Sequence, residues 1–167
     1  MITMTIRRYS DLVAWAAWIA LLIPLSCITA TGQETVDTSL PAFVSWMVDD
    51  ITQQTTSTPS TTSVTFSNAA LDPGRRLSIL VKADSASFTP PSGSAIPASK
   101  VNWTTSGASG GTGFSGTLSD SSYTEIYRSA PNPTSGGVDV TFLLDAPGSG
   151  ILAGDHDLTL RWKLEGI

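Results

Sequence analysis

The chain is short of the residues that carry most protein chemistry. It has one cysteine, one histidine and nine lysines and arginines, and only 14% of its residues are charged. The cysteine, Cys27, lies near the N-terminus. A chain cut after it has no thiol and no disulfide, so its stability rests on its core alone. The histidine, His156, would have to be the base of any serine machinery. A basic stripe is also missing: the net charge is −5 and the sequence pI about 4.6, which excludes a nucleic-acid partner. Beyond the first 32 residues no stretch has convincing helical periodicity.

What the N-terminus does have is the grammar of export. Arg7 and Arg8 give a positive start, residues 12–25 are an apolar run, and Ala30-Thr31-Gly32 offers small residues where a signal peptidase reads. Residues 1–32 are therefore expected to be a signal-peptide helix, cleaved before Gln33, touching the membrane only until it is cut. Two alternatives stay open. The segment could be retained as an anchor, although the run is shorter than the ~20 residues that span a bilayer and holds Pro24. Lipidation at Cys27 is the other, with Ser26 before it and Pro24 where bacterial lipoproteins carry an aliphatic residue. The product is a secreted or envelope protein.

The rest suits one domain. Residues 33–62 read as a lead-in strand and a Thr/Ser-rich linker. Residues 63–167 form the main domain, with the strand at 43–48 part of it. Alternating residues mark strands at 43–48 (Val44, Trp46 and Val48 on one side), 63–67, 77–81, 100–104, 123–128 and 138–144. The clearest is the last, 157–165, with Leu158, Leu160, Trp162 and Leu164 on one side and Asp157, Thr159, Arg161, Lys163 and Glu165 on the other. Turn signals such as Asp72-Pro73-Gly74 separate them, and the Gly/Ser-rich 106–116 reads as a loop. About seven or eight short strands with such turns predict an all-β, antiparallel, immunoglobulin-like sandwich.

Candidate chemistry is thin. Gly107-Ala-Ser109-Gly-Gly111 has the letters of a nucleophile elbow, but that device needs a strand before the serine and a helix after it. Asp155-His156-Asp157 has metal-ligand types, yet on a strand the aspartates share one face and the histidine takes the other; Asp49-Asp50 meets the same objection. No catalytic, metal or cofactor site is expected. Asn102-Trp103-Thr104 is a glycosylation acceptor by pattern. Trp46, Trp103 and Trp162 are the candidates for ligand or assembly contacts, with core packing the competing role and Trp162 favoured inward by its leucine neighbours.

The segment 153–164, Ala-Gly-Asp-His-Asp-Leu-Thr-Leu-Arg-Trp-Lys-Leu, resembles the closing strand of the WxL cell-surface domain, and 77–100 is similar to that family's earlier half. Of the family's two Trp-x-Leu motifs, the second is present as Trp162-Lys163-Leu164, and Arg75-Arg76-Leu77 stands in place of the first. The resemblance implies a β-rich, non-catalytic module held to cell-wall polymer. The expected function is thus structural or adhesive, at the surface of a bacterium. The alternative partner is another copy of the chain: a pilin-like or coat-like subunit assembling by strand addition, with 36–51 as the candidate donor.

Overall fold

The computed structural model of the chain describes residues 34–167 in full and residues 2–10 as a backbone strand. Cys27, the apolar run 12–25 and the expected cleavage site lie outside the described residues. The strands are β1 (Ile2–Ser10), β2 (Thr35–Ser39), β3 (Phe43–Val48), β4 (Thr55–Thr56), β5 (Thr62–Ala70) and β6 (Leu77–Ala83). They continue as β7 (Val101–Ser109), β8 (Gly111–Gly113), β9 (Gly116–Thr117), β10 (Thr124–Ser129), β11 (Gly136–Leu144) and β12 (Gly154–Gly166).

These strands form two sheets of six. One has the order β3-β1-β12-β6-β10-β8; the other runs β2-β5-β11-β7-β9, with β4 also on β11. Among the described residues every ladder is antiparallel except that of β1 with β12. The protein is an all-β, sandwich-like structure, and the alternation in its sequence is the cause. On β11, Val138, Val140, Phe142 and Leu144 are buried, and on β12 so are His156, Leu158, Leu160 and Trp162. Side chains of this size contribute ~1.5–3 kcal/mol each when fully buried. The core is rich in aromatics: Trp46, Trp103, Trp162, Tyr127 and Phe88 are its largest fully buried members.

Three segments depart from the sequence expectation. The Gly/Ser-rich 106–116 is not a loop: it carries the end of β7 and all of β8, and Gly107 and Gly110 adopt positive φ. Its order comes from backbone pairing, which side-chain patterning does not register. The polar 52–62 tract is tied down as well, since Ser57 N–H donates to Phe142 O (2.9 Å) and Thr58 N–H to Ser45 O (2.7 Å). Residues 2–10, expected in the leader helix, run as strand β1.

A register shift between Glu125 and Tyr127 gives β10 a bulge, and Ile126 and Tyr127 are consecutively buried. A bulge re-aims one side chain and breaks strict alternation. That is how the tyrosine reaches the core.

Candidate functional site

The three candidate contact tryptophans all lie in the core, at most 1% exposed. Trp103, on β7, donates its indole N–H to Phe114 O at 2.8 Å and packs near Phe142. Trp162 sits on the inner face of β12, paired with Val81 of β6. Trp46, on β3, makes an edge contact with Phe88, ring centroids 6.4 Å apart.

The other sequence candidates are scattered. Ser109 ends β7 in one sheet and is exposed, while His156 is buried in β12 of the other. A turn into β8 of the other sheet, not a helix, follows Ser109, and the Ser109 carbonyl accepts the Tyr127 hydroxyl at 2.7 Å. Asp155 and Asp157 are exposed on the face opposite His156. Among the described residues no three metal-ligating side chains converge. Asn102 is engaged on both sides of its amide, donating to Asp145 (2.8 Å) and accepting from Thr117 (2.6 Å). Asp50 accepts from the hydroxyl and the backbone N–H of Thr52 in the turn after β3, which holds its carboxyl below the usual range.

The unusual place in the molecule lies between β3 and β12. These two strands do not pair with each other; β3 is the end strand of its sheet and joins it through β1. The far edge of β3 bonds to Thr58, and the far edge of β12 is taken by Thr89 at Asp157 and by β6 from Leu160 onward. Between them is a slot the width of one strand. Its walls match level by level: Ile2 of β1 stands between Val48 and Gly154, Met4 between Trp46 and His156, and Ile6 between Val44 and Leu158. The flanking residues Val44, Trp46, Val48, His156 and Leu158 are buried, so the slot opens on the core.

At the middle level both walls carry an unmet polar group. Trp46 Nε1 and His156 Nδ1 are buried without a hydrogen-bond partner. His156 Nε2 lies 3.1 Å from the Leu152 carbonyl, which can only accept, so in the neutral ring Nε2 holds the proton and Nδ1 is a bare acceptor. The slot thus presents one donor and one acceptor at the same register level. Leaving such groups unmet costs ~1–3 kcal/mol each. The alternation of Val44, Trp46 and Val48, and of residues 156–162, is plain in the sequence. That the two runs face each other across a single intervening strand is not, because it depends on pairing more than a hundred residues apart.

Of the expected donor 36–51, the part in β3 forms a wall of this slot, and the part in β2 is the end strand of the other sheet. No protein-family model matches the chain, and no curated protein matches it. Fold and slot therefore define its class by themselves: an all-β sandwich in which one sheet is joined across a strand from the N-terminal segment.

Proposed function

We propose that this chain is an exported, non-enzymatic structural subunit of the bacterial cell surface, a β-sandwich completed by strand addition. One observation carries the reading: β3 is tied to its sheet only through residues 2–10, which the sequence assigns to a removable leader. Cutting that leader leaves β3 and β12 with facing rows of free backbone N–H and C=O groups, a template for another strand. Fractionating the source cells, sequencing the N-terminus and running the protein on a denaturing gel with and without heating tests it. A start near Gln33 and multimers that fall apart only on heating are expected. A monomer that still carries residues 2–10 overturns the reading.

Attachment to an anionic wall polymer is the second reading, the one implied by the Trp162-Lys163-Leu164 resemblance. Its support is on the outer face, where Lys82 and Lys163 lie 5.3 and 5.7 Å from the Tyr123 ring centroid. An aromatic flanked by two cations suits a phosphate- or carboxylate-bearing polymer. Retention of the protein on purified cell wall, lost in Lys82→Ala/Lys163→Ala, is the expected result. Equal recovery of both proteins in the unbound fraction removes this reading.

A further inference from the structure

The slot has a chemical preference that its present occupant does not meet. With residues 2–10 in place, Trp46 Nε1 and His156 Nδ1 remain unpartnered. Directly paired residues of neighbouring strands project to the same face. A side chain at the middle level, placed between Trp46 and His156, would therefore face both nitrogens. It must accept from an indole N–H and donate to a bare imidazole nitrogen. A hydroxyl does both at once. The levels above and below are walled by Val48 with Gly154 and by Val44 with Leu158, and take apolar side chains. The slot therefore fits a strand of pattern apolar-x-Ser/Thr-x-apolar.

The chain itself contains that pattern at a sheet edge. Val36-Asp37-Thr38-Ser39-Leu40 begins three residues after the expected cleavage site. Residues 35–39 form β2, the end strand of the second sheet, held on one side only by β5 through a ladder whose register slips between Thr35 and Asp37. Val36 and Thr38 are half-buried there, and Pro41 and Ala42 separate the segment from β3. Releasing β2 gives up one short, irregular ladder, the Asn68–Asp37 hydrogen bond (2.8 Å) and the burial of Leu40 in its own core. Seating it in the slot forms ladders on both sides.

We infer that the slot between β3 and β12 receives the segment 35–40 of a second copy, with the Thr38 hydroxyl bridging Trp46 and His156, so that subunits join head to tail. The inference rests on the strand-addition reading above and deepens it by naming the donor. Running in the same direction as β1, the donor sets Val36, Thr38 and Leu40 at the levels of Ile2, Met4 and Ile6. Asp37 then lies beside Asp155 of the accepting copy. An open head-to-tail contact of this kind propagates into a fibre instead of closing.

The test uses the full chain with Cys27→Ser, expressed with export intact. Asp37→Cys combined with Asp155→Cys is expected to give, under mild oxidation, a ladder of disulfide-linked multimers that collapses on reduction. The off-register pair Asp37→Cys with Lys163→Cys should not give it, and single variants can give dimers at most. Thr38→Val, which keeps the shape and removes the hydroxyl, should lower the yield of multimers at least several-fold and abolish the exchange protection of the Trp46 indole N–H. Heat-sensitive multimers without the Asp37–Asp155 ladder, or with Thr38→Val assembling as well as the parent, overturn this donor and leave strand addition standing. A monomer in which Thr3→Cys links to Asp155→Cys within one chain overturns both.

Discussion

Trp103 and Trp46 are the same side chain in two halves of one core, and their surroundings differ in one respect. Both are buried and both meet another aromatic ring. Trp103 belongs to the sheet whose neighbouring strands β7, β9 and β11 all lie within residues 101–144, and its N–H is bonded to Phe114 O. Trp46 stands beside a strand brought in from the N-terminal segment, and its N–H is bonded to nothing. Interiors rarely leave such groups unmet. The contrast separates a part of the core whose buried N–H is met from a part where it is not.

The largest effects should come from deleting fully buried rings, Trp103 in one sheet and Trp162 in the other. Trp103→Ala and Trp162→Ala are each expected to cost about 3–5 kcal/mol, the usual range for truncating a buried aromatic. A domain commonly has only ~5–15 kcal/mol in total, so urea unfolding midpoints should fall steeply or expression should fail. Gly111→Ala is expected to follow at about 1–3 kcal/mol, the range for overpacking. A Cβ there would come within 2.2 Å of Arg128 O and 2.5 Å of the Tyr127 hydroxyl. A near-normal midpoint for Gly111→Ala would show that the β8–β10 pairing gives way more easily than its close approach implies.

Conservative replacement sharpens the comparison. Trp103→Phe strips a bonded N–H and orphans the Phe114 carbonyl. Trp46→Phe strips an N–H that the isolated chain does not use. The first is expected to cost about 1–3 kcal/mol more than the second in the monomer. In multimers the order should reverse, with Trp46→Phe weakening assembly and Trp103→Phe leaving it intact. Equal costs in the monomer would mean that both indoles are satisfied there.

How far the sequence could be read follows from where the order comes from. β11 and β12 were legible because one face of each is buried along its length, which writes period two into the residues. β8 and the end of β7 were not, because Gly107, Gly110 and Gly111 carry no side chains and their order lies in backbone bonds. β10 was half legible: its bulge buries Ile126 and Tyr127 together, and no alternation survives that. The inward face of Trp162 followed from a long run of alternating leucines, whereas the strands around Trp46 and Trp103 are short, and that of Trp46 is apolar on its other face too (Phe43, Met47), so their faces were not decided. The slot was the least legible feature, because residues 2–10 read as the start of a leader and nothing local says that they lie between strands 43–48 and 154–166.

Tyr127 offers a smaller effect with a sign that can be checked. Burial raises its hydroxyl above the ordinary 10.0. The folded state therefore holds this proton more tightly than the unfolded chain does. The associated stability is fully present below the ordinary value and is lost as pH rises through the folded one. Unfolding midpoints measured at about pH 9 and about pH 11 should show a drop that Tyr127→Phe reduces. An undiminished drop in the variant would assign the alkaline loss to other groups.

The smallest effects are expected on the outer face of β12, one residue away from the largest. Arg161 reaches Asp84 at 2.5 Å and Lys163 pairs with Glu165, but all four side chains are between about a third and a half exposed. Water and salt screen such pairs, and exposed ion pairs typically contribute ~0–1 kcal/mol. Arg161→Ala and Lys163→Ala should therefore each stay within about 0.5 kcal/mol of the parent, against several times that for Trp162→Ala. Raising the salt concentration should shrink even that difference for Arg161→Ala and leave the Trp162→Ala deficit unchanged, because burial is not screened. A loss at Arg161 as large as at Trp162 would mean that β12 carries structure on both faces. The outer face would then have to be covered by something in the assembled protein.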